Sequence, residues 1–136
     1  MPIYVLDSSA VLRYIDDEAG ADRVEEIINS CAACEAEVLI SAVQWGEIAG
    51  RLRVRLGEQD QIKILSNVLP SEAAVIPAHG DSAVRAANLK VDRRIAYADG
   101  FALELAMRSP SHVLVTADYG FKDVADLARI EFLPAK

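Results

Sequence analysis

The sequence predicts an α/β protein with a central parallel sheet of about five strands flanked by helices. Three observations predict it. Five short apolar or β-branched runs of strand length alternate with longer stretches of helical periodicity. Capping residues, glycines and prolines punctuate the boundaries between them. Two of the runs end in an aspartate: Ile3-Tyr4-Val5-Leu6-Asp7 and Val113-Leu114-Val115-Thr116-Ala117-Asp118. Strands separated by helices imply a sheet covered on both faces, with right-handed crossovers. The carboxyl ends of such strands share one rim, where open α/β sheets place their ligand sites. Asp7 and Asp118 therefore belong to one rim. The strand order, and with it their adjacency, is left open.

The elements follow in sequence. After the first strand, Ser8 or Ser9 can cap a short helix through Tyr14, and Asp16-Asp17-Glu18 marks a break. A helix spans about Ala21 to Cys34, followed by a strand around Val38-Leu39-Ile40. Ser41 caps the next helix, through Trp45, Ile48, Leu52 and Leu56, and Gly57 ends it. Gln61 to Leu69 is a further helix stopped by Pro70; Ala74-Val75-Ile76 is a short strand ended by Pro77. Helices over Ser82 to Lys90 and Ala96 to Arg108 lead to the strand that ends at Ala117. Phe121 to Ala128 reads as a helix, and Ile130-Glu131-Phe132-Leu133 as the last strand.

The 136 residues predict one domain over 1–136, large enough to bury a core. A hydrophobic fraction of 52% with 26% charged residues excludes a disordered chain. No apolar stretch approaches the roughly 20 residues a membrane helix needs, and the N-terminus lacks a basic, signal-like region. The expected compartment is the cytoplasm. A formal charge of −7 argues against a general nucleic-acid coating protein. It is compatible with an enzyme whose acids surround a cation. Cys31-Ala32-Ala33-Cys34 lacks two further zinc ligands nearby, since His79 and His112 are isolated. It reads as two small buried cysteines closing a helix.

Two more acids stand out. On a helix, Asp99 has Ala96, Ala102, Ile95, Leu103 and Ala106 as neighbours three, four and seven positions away, all apolar. A carboxylate there is costly unless paired, hydrogen-bonded or bound to a metal. The competing reading makes Asp99 the cap of a helix starting at Gly100. Glu47 stands beside the stripe of Trp45, Ile48, Ala49 and Leu52, and an exposed pairing with Arg51 at i+4 explains it equally well. Asp16, Asp17, Glu25, Glu26, Glu58, Asp60 and Glu104 read as solvated faces.

These residues carry a family resemblance. The chain resembles the PIN-domain ribonucleases, and more narrowly the VapC-like toxins of toxin–antitoxin pairs. Val5-Leu6-Asp7-Ser8-Ser9 is similar to that family's opening strand, and Ser41 to Ile48 resembles its second block, with the acid at Glu47. Ala98-Asp99 followed by Ala102 and Ala106 resembles the third, and Thr116-Ala117-Asp118 before an aromatic resembles the fourth. Ala117, Leu103 and Trp45 depart mildly from the pattern and leave the acids intact.

The resemblance implies a three-layer PIN-like fold and Mg²⁺- or Mn²⁺-dependent hydrolysis of an RNA phosphodiester. Asp7 and Asp99 would be the principal metal ligands, with Asp118 ligating directly or through water, and Glu47 would hold or deprotonate the attacking water. Ser8 and Thr116 could orient the carboxylates; simple capping explains both hydroxyls as well. Physical chemistry points the same way, because two unit charges about 4 Å apart repel by roughly 4 kcal/mol at an effective dielectric near 20. Four clustered carboxylates should therefore raise at least one pKa, and a hard divalent cation relieves the strain. The resemblance also implies a homodimer and a cognate antitoxin. Arg51-Leu52-Arg53-Val54-Arg55 and Lys90 with Arg93-Arg94 are candidates for contacts to the RNA backbone. Rival readings are an RNA-processing nuclease without an antitoxin, a phosphoryl-handling Mg²⁺ domain and a non-catalytic binding module. A dehalogenase-like phosphatase would want aspartate at position 9, which is Ser9.

Overall fold

The computed structural model describes residues 1–136. Five strands, β1 (Ile3–Leu6), β2 (Glu37–Ser41), β3 (Ala74–Ile76), β4 (His112–Thr116) and β5 (Arg129–Phe132), form one parallel sheet. The order is β3-β2-β1-β4-β5. The chain builds outward from β1 to β3, then returns to lay β4 against the free edge of β1. Winding reverses between β1 and β4, and it is at the carboxyl ends of such a switch point that open α/β sheets place their ligand crevice. Asp7 and Asp118 leave those two neighbouring strands, which answers the question of adjacency.

Six α-helices cover the sheet: α1 (Ser8–Ile15), α2 (Ala21–Ala32), α3 (Ala42–Leu56), α4 (Glu58–Asn67), α5 (Gly80–Arg93) and α6 (Tyr97–Met107). Alternation along the strands divides the core. Leu6, Ile40 and Val115 pack with Val11 of α1, Ile27 of α2 and Ile48 of α3. Val5 and Leu114 face the other way, onto Ala102, Leu103 and Ala106 of α6. Buried on both faces, the central strands are continuous apolar runs, as a covered parallel sheet requires.

Several boundaries differ from the sequence reading. Asp7, not Ser8 or Ser9, caps α1: its carboxylate accepts from the Ala10 amide at 2.9 Å. The segment Tyr119–Val124 is a 3₁₀ turn, not an α-helix to Ala128. Its bonds are of the three-residue type, Phe121 N–H to Asp118 O and Ala125 N–H to Lys122 O, and β5 follows too soon for a longer helix. Helix α2 stops at Ala32, so Cys34 lies beyond it with φ 59° and is exposed while Cys31 is buried; both thiols are free. Glu104 is buried rather than solvated, held by Arg108 at 2.7 Å and Arg85 at 3.0 Å. No helix is long and apolar enough to cross a membrane.

Candidate active site

Asp7 is the most constrained acid. It ends β1, is only 2% exposed, and accepts three hydrogen bonds. Oδ1 takes the Ser9 hydroxyl at 2.7 Å and the Ala10 amide at 2.9 Å; Oδ2 takes the Thr116 hydroxyl at 2.5 Å. Thr116 ends β4, so this last bond ties the two rim strands together side chain to side chain. Its oxygen also accepts the Asp118 amide at 2.9 Å, which fixes the turn carrying the second rim acid. Asp118 is exposed, and its carboxylate accepts the Gly120 amide at 2.8 Å, opening the 3₁₀ turn.

Glu47 and Asp99 arrive from helices. Glu47 is half-buried on α3 and accepts the Ser8 hydroxyl at 3.3 Å. It makes no ion pair with Arg51, so the solvated-pair reading does not hold. Asp99 lies in the first turn of α6, whose cap is Ala96; the reading that made Asp99 a cap before Gly100 is displaced by a helix that starts at Tyr97. No hydrogen bond engages its carboxylate.

Electrostatics brings the four together. Burial pushes Asp99 up to about 7, and the charges of Asp118, Asp7 and Glu47 push it the same way. Asp7 is raised to about 6, again by burial first; bonds from Thr116, Ser9 and Ala10 pull it down, and the charge of Asp118 pushes it up. The four carboxylates offer only hard oxygen donors, which is the donor chemistry that Mg²⁺ or Mn²⁺ takes. No three of the chain's His, Cys, Asp and Glu side chains stand close enough to close around an ion by themselves. The acids share one electrostatic field at this rim, without a preformed cage.

Two residues at this site are not among those the sequence reading singles out. Ser9, rather than Ser8, is the hydroxyl that donates to Asp7, and its oxygen also accepts the Ala117 amide at 2.9 Å. Gln44 is fully buried on α3: its oxygen accepts the Ser8 amide at 2.7 Å and its nitrogen donates to the Ala98 carbonyl at 2.7 Å. It thus braces the β1–α1 junction against the start of α6. Gln44 is in helical register with the buried Ile48 and Leu52. A polar group on that apolar stripe is the same signal that marks Asp99, and it would have found Gln44.

Residues 4–127 match the family model described as PIN domain. The chain belongs to the PIN-domain family. Its fold is that of VapC toxins. The VapBC2 structure from Rickettsia felis, described as bound to a DNA fragment from their promoter, matches with a TM-score of 0.71 at 18% identity, over 97% of this chain and 99% of that one. Mycobacterium tuberculosis VapC20, described as a sarcin–ricin loop cleaving toxin, matches with a TM-score of 0.72 at 16% identity, over 96% and 99%. VapBC-1 from nontypeable Haemophilus influenzae matches with a TM-score of 0.68 at 17% identity, over 96% and 97%. No curated protein matches the chain in sequence at a significant level. The family model spans all four acids of this PIN domain.

Proposed function

We propose that this PIN domain is a metal-dependent endoribonuclease and the toxin of a toxin–antitoxin pair. The observation that carries the reading is the electrostatic coupling of four carboxylates from four separate elements at one sheet rim, with Asp7 and Asp99 both raised. Such a cluster opposes folding unless a cation joins it, so it points to binding rather than to architecture. The sarcin–ricin cleaving neighbour supports RNA as the substrate. The VapBC neighbours support an antitoxin partner; the homodimer and the cytoplasmic location rest on the family resemblance alone.

In this reading Asp7 and Asp99 would hold Mg²⁺ or Mn²⁺, with Asp118 as a further ligand directly or through water. A bound ion would supply a lowered pKa for a water and a charge offsetting that of the attacked phosphate. The chain's own groups do the rest. Thr116 and Ser9 fix the rotamer of Asp7, so its carboxylate presents a constant direction to the crevice. Glu47, steadied by Ser8, is the free acceptor that holds the attacking water and takes its proton. Gln44 keeps the Asp7 and Asp99 segments in register.

The test is cleavage of a mixed RNA pool with Mg²⁺, with EDTA, and with Asp7→Asn and Asp99→Asn proteins. Each substitution and chelation should lower the rate at least about 100-fold. Cleavage that survives both substitutions and EDTA would sink the mechanism. Growth arrest on expression, relieved by a co-expressed neighbouring gene, separates a toxin from an RNA-processing nuclease.

A further inference from the structure

An RNA strand approaching this crevice meets four carboxylates on a chain whose formal charge is −7. Something nearby must counter that repulsion. Beside the acids, between α1 and α3, runs a polar cleft of about 230 Å³. Ser9 and Arg13 of α1, Asp16 just beyond that helix, and Arg51 and Arg55 of α3 line it. Ser9 is common to both places, since its hydroxyl donates to Asp7 while it also forms the cleft wall. On α3, Glu47, Arg51 and Arg55 follow at four-residue spacing, one stripe leading from the acids into the cleft, with Arg51 about 6 Å of helix rise beyond Glu47.

The cations of the cleft are not equivalent. Arg55 is neutralised by Asp16 through two bonds of 2.6 and 2.9 Å. Lys136 and Glu18 are paired with each other. Arg13 donates to the carbonyls of Ala19 and Pro134 at 2.7 and 2.8 Å, which fix the guanidinium and leave its charge uncompensated. Arg51 is exposed and has neither an ion pair nor a hydrogen bond, because Glu47 turns to Ser8 instead. Of the other arginines flagged by the sequence, Arg53 faces Glu58 at 3.7 Å and Arg93 is held by Asp126 at 2.7 Å; Arg94 is exposed and unpaired, but it caps the far end of α5, outside this cleft.

We propose that the α1–α3 cleft binds the phosphate backbone of an RNA strand and that Arg51 takes the phosphate next to the acidic crevice. The assignment rests on the ribonuclease reading and names where its substrate enters. An unpaired guanidinium presents a planar fork suited to two phosphate oxygens. Arg13 adds fixed positive potential behind it. Contacts of this kind position a strand without reading its sequence.

The test is fluorescence anisotropy of a short, labelled, mixed-sequence RNA strand with the full chain in EDTA, over a series of NaCl concentrations. Arg51→Ala should weaken binding roughly three- to tenfold and make the log–log salt slope shallower by about 0.7, one single-strand phosphate contact. Arg51→Lys should restore the slope, and Arg53→Ala should stay within about twofold of wild type. A slope unchanged in Arg51→Ala, or no binding by the wild-type chain at low salt, overturns the proposal. Binding that depends on Arg51 together with an absence of Mg²⁺-dependent cleavage upholds the cleft and sinks the ribonuclease reading instead.

Discussion

Asp7 uses one oxygen to cap α1 and the other to hold Thr116, so its neighbours differ sharply in what they support. Ser9 donates to Asp7 and accepts the Ala117 amide, joining the two rim strands through one hydroxyl. Ser9→Ala leaves that amide without its partner and removes one bond from a buried carboxylate. It should cost about 1–2 kcal/mol in urea unfolding. Ser8→Ala loses only the 3.3 Å contact to Glu47 and should stay within about 0.5 kcal/mol of wild type. Equal losses from the two substitutions would remove Ser9 from the role assigned to it. The sequence shows two hydroxyls after an acid, and the choice between them depends on cap geometry that spacing does not encode. Thr116 was reached only through the family resemblance, with capping an equal explanation for its hydroxyl. Gln44 was not read, although its place in register with Ile48 and Leu52 carried the signal.

At the scale of elements, α6 carries Asp99 and is set by how closely it can approach α5. Gly100 fixes that approach: a Cβ there would lie 2.8 Å from the Ala86 carbonyl oxygen and 3.1 Å from its Cα. Backbone cannot yield as a side-chain tip does, so Gly100→Ala must push the helices apart. The expected cost is about 1–3 kcal/mol, and cleavage should fall at temperatures where the variant is still folded, because Asp99 moves with the helix. Gly50 is the internal comparison, lying in α3 where an added Cβ would meet nothing within 4 Å. Gly50→Ala should stabilise by roughly 0.5–1 kcal/mol through helix propensity. Thermal melts and cleavage rates of the pair check both statements. The helices themselves were readable from periodicity and caps, as Ser41 shows by accepting the Val43 amide at 3.2 Å. The segment after Asp118 was not, because its apolar Phe121 and Val124 fit an α-helix and a 3₁₀ turn equally well.

For the whole molecule, strand number and parallel direction followed from the alternation of elements, while the order β3-β2-β1-β4-β5 did not. That order concentrates negative charge at one end of the sheet, and the charge should govern how stability responds to pH. Asp99 near 7 and Asp7 near 6 hold protons in the folded chain over a range where unfolded carboxyls, near 4, have lost theirs. The folded state binds more protons there, so stability falls as pH rises. This contribution is fully present below about pH 4 and is lost as pH rises through about 6 to 7. Carboxylates in ion pairs, such as Asp126 with its lowered pKa, act in the opposite sense but at pH below the ordinary range. Between pH 5 and 8 the crevice should therefore dominate. In EDTA the wild-type melting temperature should drop across that window, whereas Asp99→Asn, which no longer adds a charge, should show a flatter profile. At pH 8 the variant should be the more stable protein, on the order of 3 °C, with partial exposure of Asp99 limiting the effect. Mg²⁺ added at pH 8 should raise the wild-type value by binding only the folded state, and raise the variant less. A wild-type melting temperature that climbs steadily from pH 5 to 8 in EDTA, with Asp99→Asn less stable at the upper end, would show that the four acids do not strain one another.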